Sequence, residues 1–449
     1  MGRLFGTDGV RGIANSELTP SLAFEIGKAA AYVLTKEVHR KPKILIGKDT
    51  RLSGDMLEAA LTAGICSVGA EVIALGVLPT PAIAYLTRKY EADAGVVISA
   101  SHNSAEYNGI KIFNANGYKL NDEIEERIEA IVLDKTEQID LPTGDAVGKV
   151  TRHENAAADY IAYAKSTIKT DLTGMKIAID CANGANYKTA VKVFVELGAE
   201  VYVVHNHPNG ININLNCGST HTKEFSEYVK NINVDIGITF DGDGDRLLVI
   251  DEKGELVDGD KIMFICAEQL KERGLLMKDT LVTTVMTNLG LVLSAKEKGI
   301  NIVQTKVGDR YVLEEMLKSG YVLGGEASGH IIFLNHNTTG DGLISALQLI
   351  KVMKKSGKKM SELATVFQTL PQVIINAKVQ NKKKALLESD SIIMAEIENL
   401  TQSFKDKGRV LVRPSGTEPC IRVMIEGEDQ SVIEERASAL AKLIEARLG

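Results

Sequence analysis

The 449-residue sequence has no tryptophan, nine prolines and five cysteines, and it lacks a basic excess: 52 Lys and Arg stand against 59 Asp and Glu, a net charge of −7. That balance leaves no basic stripe for a nucleic-acid backbone, so no nucleic-acid partner is expected and an anionic ligand must be held by local cations. The cysteines, at 66, 181, 217, 266 and 420, are odd in number and widely spaced. This excludes a disulfide framework and fits a reducing compartment. No stretch approaches the roughly 18 uninterrupted apolar residues of a membrane span, and Met1 to Asp8 lacks the apolar core of a signal peptide. A cytoplasmic protein with no membrane partner is the expectation.

What is present describes an ordinary folded protein, 44% hydrophobic and 25% charged, with 40 glycines for tight turns. The length exceeds a single core and suggests roughly three to four domains. A first helix is expected from Thr19-Pro20, an N-cap followed by proline, with Leu22, Ile26, Ala29 and Val33 on one face. Short apolar runs then alternate with helical stretches: Ile44 to Ile46, Val72 to Leu75 and Gly95 to Ser99, then Met175 to Asp180, Val201 to Val204 and Ile236 to Phe240, then Leu281 to Val285, Ile302-Val303 and Tyr321 to Leu323. Runs apolar on both faces fit buried parallel strands in βαβ units. The last 80 or so residues differ, with Val373 to Ala377, Arg409 to Val412 and Ile421 to Ile425 interleaved with two helical stretches. The fold class is therefore α/β: three similar α/β domains at 1–150, 151–255 and 256–368, with mainly parallel mixed sheets, and a smaller C-terminal α+β domain at 369–449. No low-complexity linker separates them, so they are expected to pack around a shared central cleft.

Chemistry is sought in the loops beyond the strands' carboxyl ends. After Phe240 come Asp241-Gly242-Asp243-Gly244-Asp245-Arg246, three carboxylates at alternate positions on a turn that glycines let fold tightly. Such a cluster of hard oxygens suits Mg²⁺. It nearly matches a calcium EF-hand loop, but Arg246 stands where the sharp turn wants glycine and Leu247 to Ile250 is a strand where ligands belong. After Ile98 come Ser99-Ala100-Ser101-His102-Asn103, followed by Asn108-Gly109-Ile110-Lys111. Ser101 there is open to reading as a hydrolase nucleophile or a phosphoryl acceptor. The lack of a Gly-x-Ser-x-Gly elbow and the acidic cluster favour the second. Gly324 to His330 offers Glu326, Ser328 and His330 for hydrogen bonds to sugar hydroxyls or an amino group. Arg413-Pro414-Ser415-Gly416-Thr417-Glu418 offers a guanidinium, hydroxyls and freed backbone amides, a cradle for an oxyanion. Phe5 to Gly12 is too glycine-rich for a helix and places Arg11 in a loop that can reach the same cleft, as Lys48 to Arg51 can.

Thr7 to Gly12, Ser99 to Asn103, the Asp241 to Arg246 loop, Gly324 to His330 and Arg413 to Glu418 together resemble the α-D-phosphohexomutase superfamily, in its order and over all four domains. Asn216 to His221, Met286 to Gly290, Lys306 to Tyr311 and Asn337 to Gly342 are similar to the subgroup that acts on glucosamine phosphates. The resemblance implies interconversion of glucosamine 6-phosphate and glucosamine 1-phosphate, with a phosphomannomutase or phosphoglucomutase activity by the same machinery as the alternative. It implies a phosphoserine at Ser101, a hexosamine 1,6-bisphosphate intermediate or activator, and one Mg²⁺ per site held by Ser101, Asp241, Asp243 and Asp245. Arg11, His102 and Lys111 would flank the transferring group. Arg246, Asp309, Glu326, Ser328 and His330 would bind the sugar, and Arg413, Ser415, Gly416 and Thr417 the phosphate that is not reacting. The small-molecule partner is a sugar phosphate; the oligomeric state is left open, a homodimer being one option. Two positions depart from the pattern. Ser104 stands where proline commonly follows Ser-His-Asn, which is expected to loosen the loop beside Ser101. Ala327 stands where the glucosamine subgroup commonly has glutamine, which removes an amide beside the sugar.

Overall fold

The structure is a computed structural model that describes every residue except Met1, Thr7, Glu37, His39, Asp406, Gly416 and Thr417. It divides into two compact units, one of Met1–Met286 with Ile300–Thr365, the other of Thr287–Gly299 with Val366–Gly449.

The larger unit carries three mixed sheets. The first has six strands in the order Val10–Ile13, Tyr107–Asn114, Ala94–Ile98, Lys43–Lys48, Glu71–Val77 and Val150–Arg152. The last four run parallel, and the first two add antiparallel to that edge. Ala94–Ile98 is buried along its whole length, as its unbroken apolar run requires. The expected first helix is Pro20–Thr35, and the Thr19 hydroxyl caps it by accepting from Leu22 N at 3.2 Å. The second sheet orders Leu256–Val257, Leu247–Asp251, Ile236–Phe240, Lys176–Asp180 and Glu200–Val204, with a parallel trio extended by two antiparallel strands. The third orders Asn301–Thr305, Thr280–Thr284, Leu323–Gly325 and Ile331–Phe333, the last strand antiparallel. Among the described residues no helix is long and apolar enough to cross a membrane.

Two segments expected as loops are strands. Arg11 lies on Val10–Ile13 and Lys111 on Tyr107–Asn114, paired so that Arg11 faces Gly109. The glycines that hid this pairing permit it: a Cβ on Gly109 would sit 2.5 Å from Ser99 O and 3.1 Å from Arg11 Cγ. Ser101 therefore occupies the connection of a hairpin whose second strand returns Lys111 beside it.

The smaller unit is the expected α+β piece, an antiparallel sheet ordered Gln372–Lys378, Cys420–Gly427, Gly408–Pro414 with the helices Ser391–Ser403 and Gln430–Leu448. It also holds the helix Leu289–Glu297, which follows the strand Thr280–Thr284 in sequence. Buried Glu426 accepts from Leu289 N at 3.3 Å and from Arg409 Nε at 2.8 Å, and Arg409 Nη2 donates to Thr287 O at 2.8 Å.

Asp341 shows how the larger unit joins its parts. It caps the helix Gly342–Ser356 by accepting from Ile344 N at 2.9 Å, and also accepts from the Tyr160 hydroxyl at 2.9 Å and Asn337 Nδ2 at 3.0 Å. Burial pushes its carboxyl up to about 6, against these hydrogen bonds. A carboxyl near 6 in the folded state and about 3.9 unfolded binds its proton more tightly when folded, so stability falls as pH rises from about 4 to about 6. Asp341→Asn is expected to remove that slope, worth about 3 kcal/mol over the interval, in urea unfolding followed across this pH range.

Candidate active site

Residues 241–246 connect the antiparallel strands Ile236–Phe240 and Leu247–Asp251. The turn's backbone is tied to three other segments: Thr80 N donates to Asp243 O at 2.9 Å, Ala185 N to Gly242 O at 2.8 Å and Gly342 N to Gly244 O at 3.1 Å. A Cβ on Gly242 would lie 2.6 Å from Ser101 O, so glycine is what lets the serine loop lie against this turn. Asp241, Asp243 and Asp245 are buried, with carboxylate oxygens within 4.8 Å of one another.

Ser101 is 1% exposed and has φ +53°, a left-handed conformation that serine seldom adopts. Its hydroxyl donates to Asp241 Oδ2 at 2.7 Å and stands 3.5 Å from His102 Nδ1. Burial, with Arg246 and Arg11 nearby, pushes the His102 imidazole down to about 4. Such backbone strain concentrates at functional sites because the surrounding contacts must enforce it.

Lys111 is the cation at the centre. Its ammonium lies 2.7 Å from Asp243 Oδ2, 2.8 Å from Asp8 Oδ2 and 3.7 Å from Asp245 Oδ2. Burial would deprotonate this lysine, but Asp243 and Asp8 outweigh it and hold the ammonium well above its ordinary value. Burial likewise works against Asp243, yet Lys111 and the Thr80 hydroxyl, which donates at 2.6 Å, hold its carboxyl well below the usual range. Asp241 and Asp245 go the other way, raised by burial and by their like-charged neighbours, with Arg246 opposing. Asp243 Oδ1 and Asp245 Oδ1 are buried without a hydrogen-bond partner. Two carboxyls driven up by burial and by their like-charged neighbours, and two buried oxygens without a hydrogen-bond partner, fit a hard divalent cation held by oxygen donors.

Around this core the structure groups the other expected residues of the larger unit. Arg11 pairs with Asp8. Lys119 bridges Asp8, at 2.6 Å, and Asp309. His330 is 3% exposed, with Nε2 3.3 Å from Asp309 Oδ2 and 3.8 Å from Asp245 Oδ2. Glu326 Oε1 accepts from Gly308 N at 3.1 Å, and burial raises its carboxyl. Arg246, half-buried beside Asp241, Asp245 and Glu326, is held firmly protonated by them against the opposing effect of burial. Ser328 is exposed at the tip of its turn. Asp8, Thr80 and Lys119 were not singled out from the sequence as site residues. Asp8 lay inside the Thr7 to Gly12 motif, whereas Thr80 and Lys119 carry no motif.

Arg413 and Ser415 belong to the smaller unit, where Arg413 is next to last in the strand Gly408–Pro414, opposite Arg422. Ser415 N donates to Cys420 O at 3.0 Å, Ser415 O accepts from Lys384 Nζ at 2.7 Å, and Ser415 Oγ accepts from Glu418 N at 3.2 Å. Burial and neighbouring Arg422 lower the Arg413 guanidinium. Gly416 and Thr417, and Thr7 of the first motif, lie outside the described residues. Among the described residues one other grouping, Asp180, His205 and Cys217, brings metal-ligand atoms together. Its carboxylate already accepts from Ala182 N at 2.8 Å and Gly218 N at 2.9 Å, and so serves the backbone.

The four domains of the phosphoglucomutase/phosphomannomutase family match this chain in order: alpha/beta/alpha domain I at residues 2–139, domain II at 158–254, domain III at 258–370 and the C-terminal domain at 374–443. A phosphoglucosamine mutase of Acetivibrio thermocellus is 60% identical over 449 residues, all of both chains. A phosphoglucomutase/phosphomannomutase family protein of Burkholderia thailandensis shares the fold with a TM-score of 0.83 at 22% identity, covering 99% of this chain and 97% of its own. The N-acetylphosphoglucosamine mutase of Aspergillus fumigatus, solved with GlcNAc-6P and magnesium, shares it with a TM-score of 0.74 at 17% identity over 99% and 96% of the two chains.

If the carboxylate turn is a cation site, Asp245→Asn should weaken Mg²⁺ binding by roughly tenfold or more in calorimetric titration. The melting temperature should be unchanged or higher, because one buried like charge is gone.

Proposed function

This chain belongs to the phosphoglucomutase/phosphomannomutase family of isomerases, and we propose that it interconverts glucosamine 6-phosphate and glucosamine 1-phosphate. The observation that carries the chemistry is the placement of Ser101, strained, buried and 2.7 Å from Asp241, against a turn of three carboxylates. The full-length similarity to a phosphoglucosamine mutase supports the choice of sugar.

The residues define a two-step phosphoryl exchange. Phosphorylated Ser101 gives its phosphoryl group to the free 1-hydroxyl of glucosamine 6-phosphate, so the Oγ–P bond breaks as an O1–P bond forms. The resulting glucosamine 1,6-bisphosphate turns over within the site. Ser101 Oγ then takes the 6-phosphoryl group, leaving glucosamine 1-phosphate and a regenerated phosphoserine. Asp241, Asp243, Asp245 and the serine's phosphate would hold one Mg²⁺, which when bound neutralises charge spreading over the transferring group. Arg11, Lys111 and His102 flank that group from strands and loop of the first sheet. Their cationic members, fixed by Asp8 and Asp243, stabilise the transferring phosphoryl without having to reorganise. Asp309, Glu326 and His330 face the sugar, and the two carboxylates are acceptors suited to the ammonium that distinguishes glucosamine from glucose or mannose. Arg413 and Ser415, with Gly416 and Thr417, take the phosphate that is not reacting. The division into domains at residues 150, 255 and 368 belongs to the same proposal.

Isomerisation assays of the Mg²⁺-supplied protein on glucosamine, glucose and mannose 6-phosphates are expected to rank glucosamine 6-phosphate first. Ser101→Ala should abolish turnover of all three with its circular dichroism unchanged. Turnover by the alanine variant would refute the phosphoserine route. Faster turnover of a neutral sugar, which Ala327 makes the competing outcome, would refute the choice of substrate alone.

A further inference from the structure

The serine loop is held from behind by side chains that touch none of the reacting atoms. Ser101 O accepts from Arg51 Nη2 at 3.0 Å and from Asn214 Nδ2 at 2.9 Å. Asn103 O accepts from the same two nitrogens, each at 2.9 Å, and Ser104 O accepts from Arg51 Nη1. We propose that Arg51 and Asn214 are positioning residues, a clamp that fixes the left-handed backbone of Ser101 so that its hydroxyl or phosphate faces the carboxylate turn.

The clamp has its own support. Arg51 Nε donates to Asp49 Oδ2 and Arg51 N to Asp49 Oδ1, both at 2.9 Å. Asp49 Oδ2 also accepts from the Ser99 hydroxyl at 2.6 Å, and Ser99 Oγ in turn accepts from Ser101 N at 2.9 Å. The chain of bonds closes on itself: Asp49 to Arg51 to the serine's carbonyl, and Asp49 to Ser99 to the serine's amide. Asp49, Arg51, Ser99 and Ser101 are each 3% exposed or less and Asn214 is 6% exposed, so water does not compete for these bonds. Turning three carbonyl oxygens toward a guanidinium and an amide also keeps their negative ends away from a transferring phosphoryl group. Arg51 thus works through the backbone; the sequence suggested that it reaches into the cleft. Ser104, expected to loosen the loop for want of proline, is held by its carbonyl. Asn214 comes from the segment that follows Glu200–Val204, so the second sheet's loops take part in aiming a serine borne by the first.

The proposal rests on Ser101 being the phosphoryl carrier. It is tested on the full-length phosphorylated protein by the single-turnover rate at which phosphoserine is discharged to the hexose phosphate that the wild type uses fastest, counted per phosphoserine so that a partly unfolded sample does not change the reading. Asn214→Ala and the nearly isosteric Asn214→Asp, which has no amide to donate, are expected to slow discharge by about 10- to 100-fold, with KM and Mg²⁺ affinity within about twofold of wild type. Arg51→Lys keeps the charge but loses the planar fork, and should slow discharge as well without loss of the fold. Wild-type discharge rates in both Asn214 variants would overturn the clamp while leaving the phosphoserine reading intact. A wild type that discharges no phosphoserine to any hexose phosphate would overturn that reading and the clamp with it.

Discussion

Three carboxylates on one six-residue turn, all buried, repel one another, and much of the larger unit is arranged to keep them together. Lys111 sits among Asp8, Asp243 and Asp245 and holds Asp243 ionised, while Asp241 and Asp245 are left raised. Of the linked groups, Asp241, Asp243, Asp245 and Lys111 are buried, and Asp8, Asp309, Glu326, Arg11, Lys119 and Arg246 stand half-buried around them. A site assembled in this way is a poor stabiliser of the fold, because taking the charges of ion pairs out of water can cost more than their attraction returns. It is a good reservoir of fixed electrostatics for phosphoryl transfer, where charge spreads over the migrating group and solvent cannot be allowed to follow it.

Much of this was legible in the sequence because the signals were local. The unbroken apolar runs gave the buried strands, Thr19-Pro20 gave the first helix its start, and the carboxylates at alternate positions separated by glycines announced a tight acidic turn. The grouping of Ser101 with Arg11, His102, Lys111 and the three aspartates was implied by the family resemblance, while the loops at strand ends pointed by themselves to Ser101 and to the acidic turn.

The rest depended on pairings between distant segments. The segment of Arg11 reads as a glycine-rich loop and that of Lys111 as a continuation of the serine loop, and only the antiparallel register of Val10–Ile13 with Tyr107–Asn114 shows why Arg11 and Lys111 arrive side by side. Thr80 and Lys119 serve the site through hydrogen bonds and ion pairs to carboxylates more than 100 residues away, and nothing at their own positions marks them. Asn214 and Arg51 act on backbone carbonyls, which leave no trace in residue type. The helix Leu289–Glu297 clusters with the C-terminal sheet through Glu426, a tertiary preference that helical periodicity does not encode.

The central claim is that phosphate passes through Ser101 Oγ. Incubating the dephosphorylated protein and Mg²⁺ with glucosamine 1,6-bisphosphate, then mapping the product by peptide mass spectrometry, tests it most directly. Transfer through this serine requires one phosphoryl group on the peptide that contains Ser101, located on the serine itself, with an equal amount of glucosamine monophosphate released. Phosphate on His102 or on another residue, or monophosphate formed with Ser101 unmodified throughout, would contradict it.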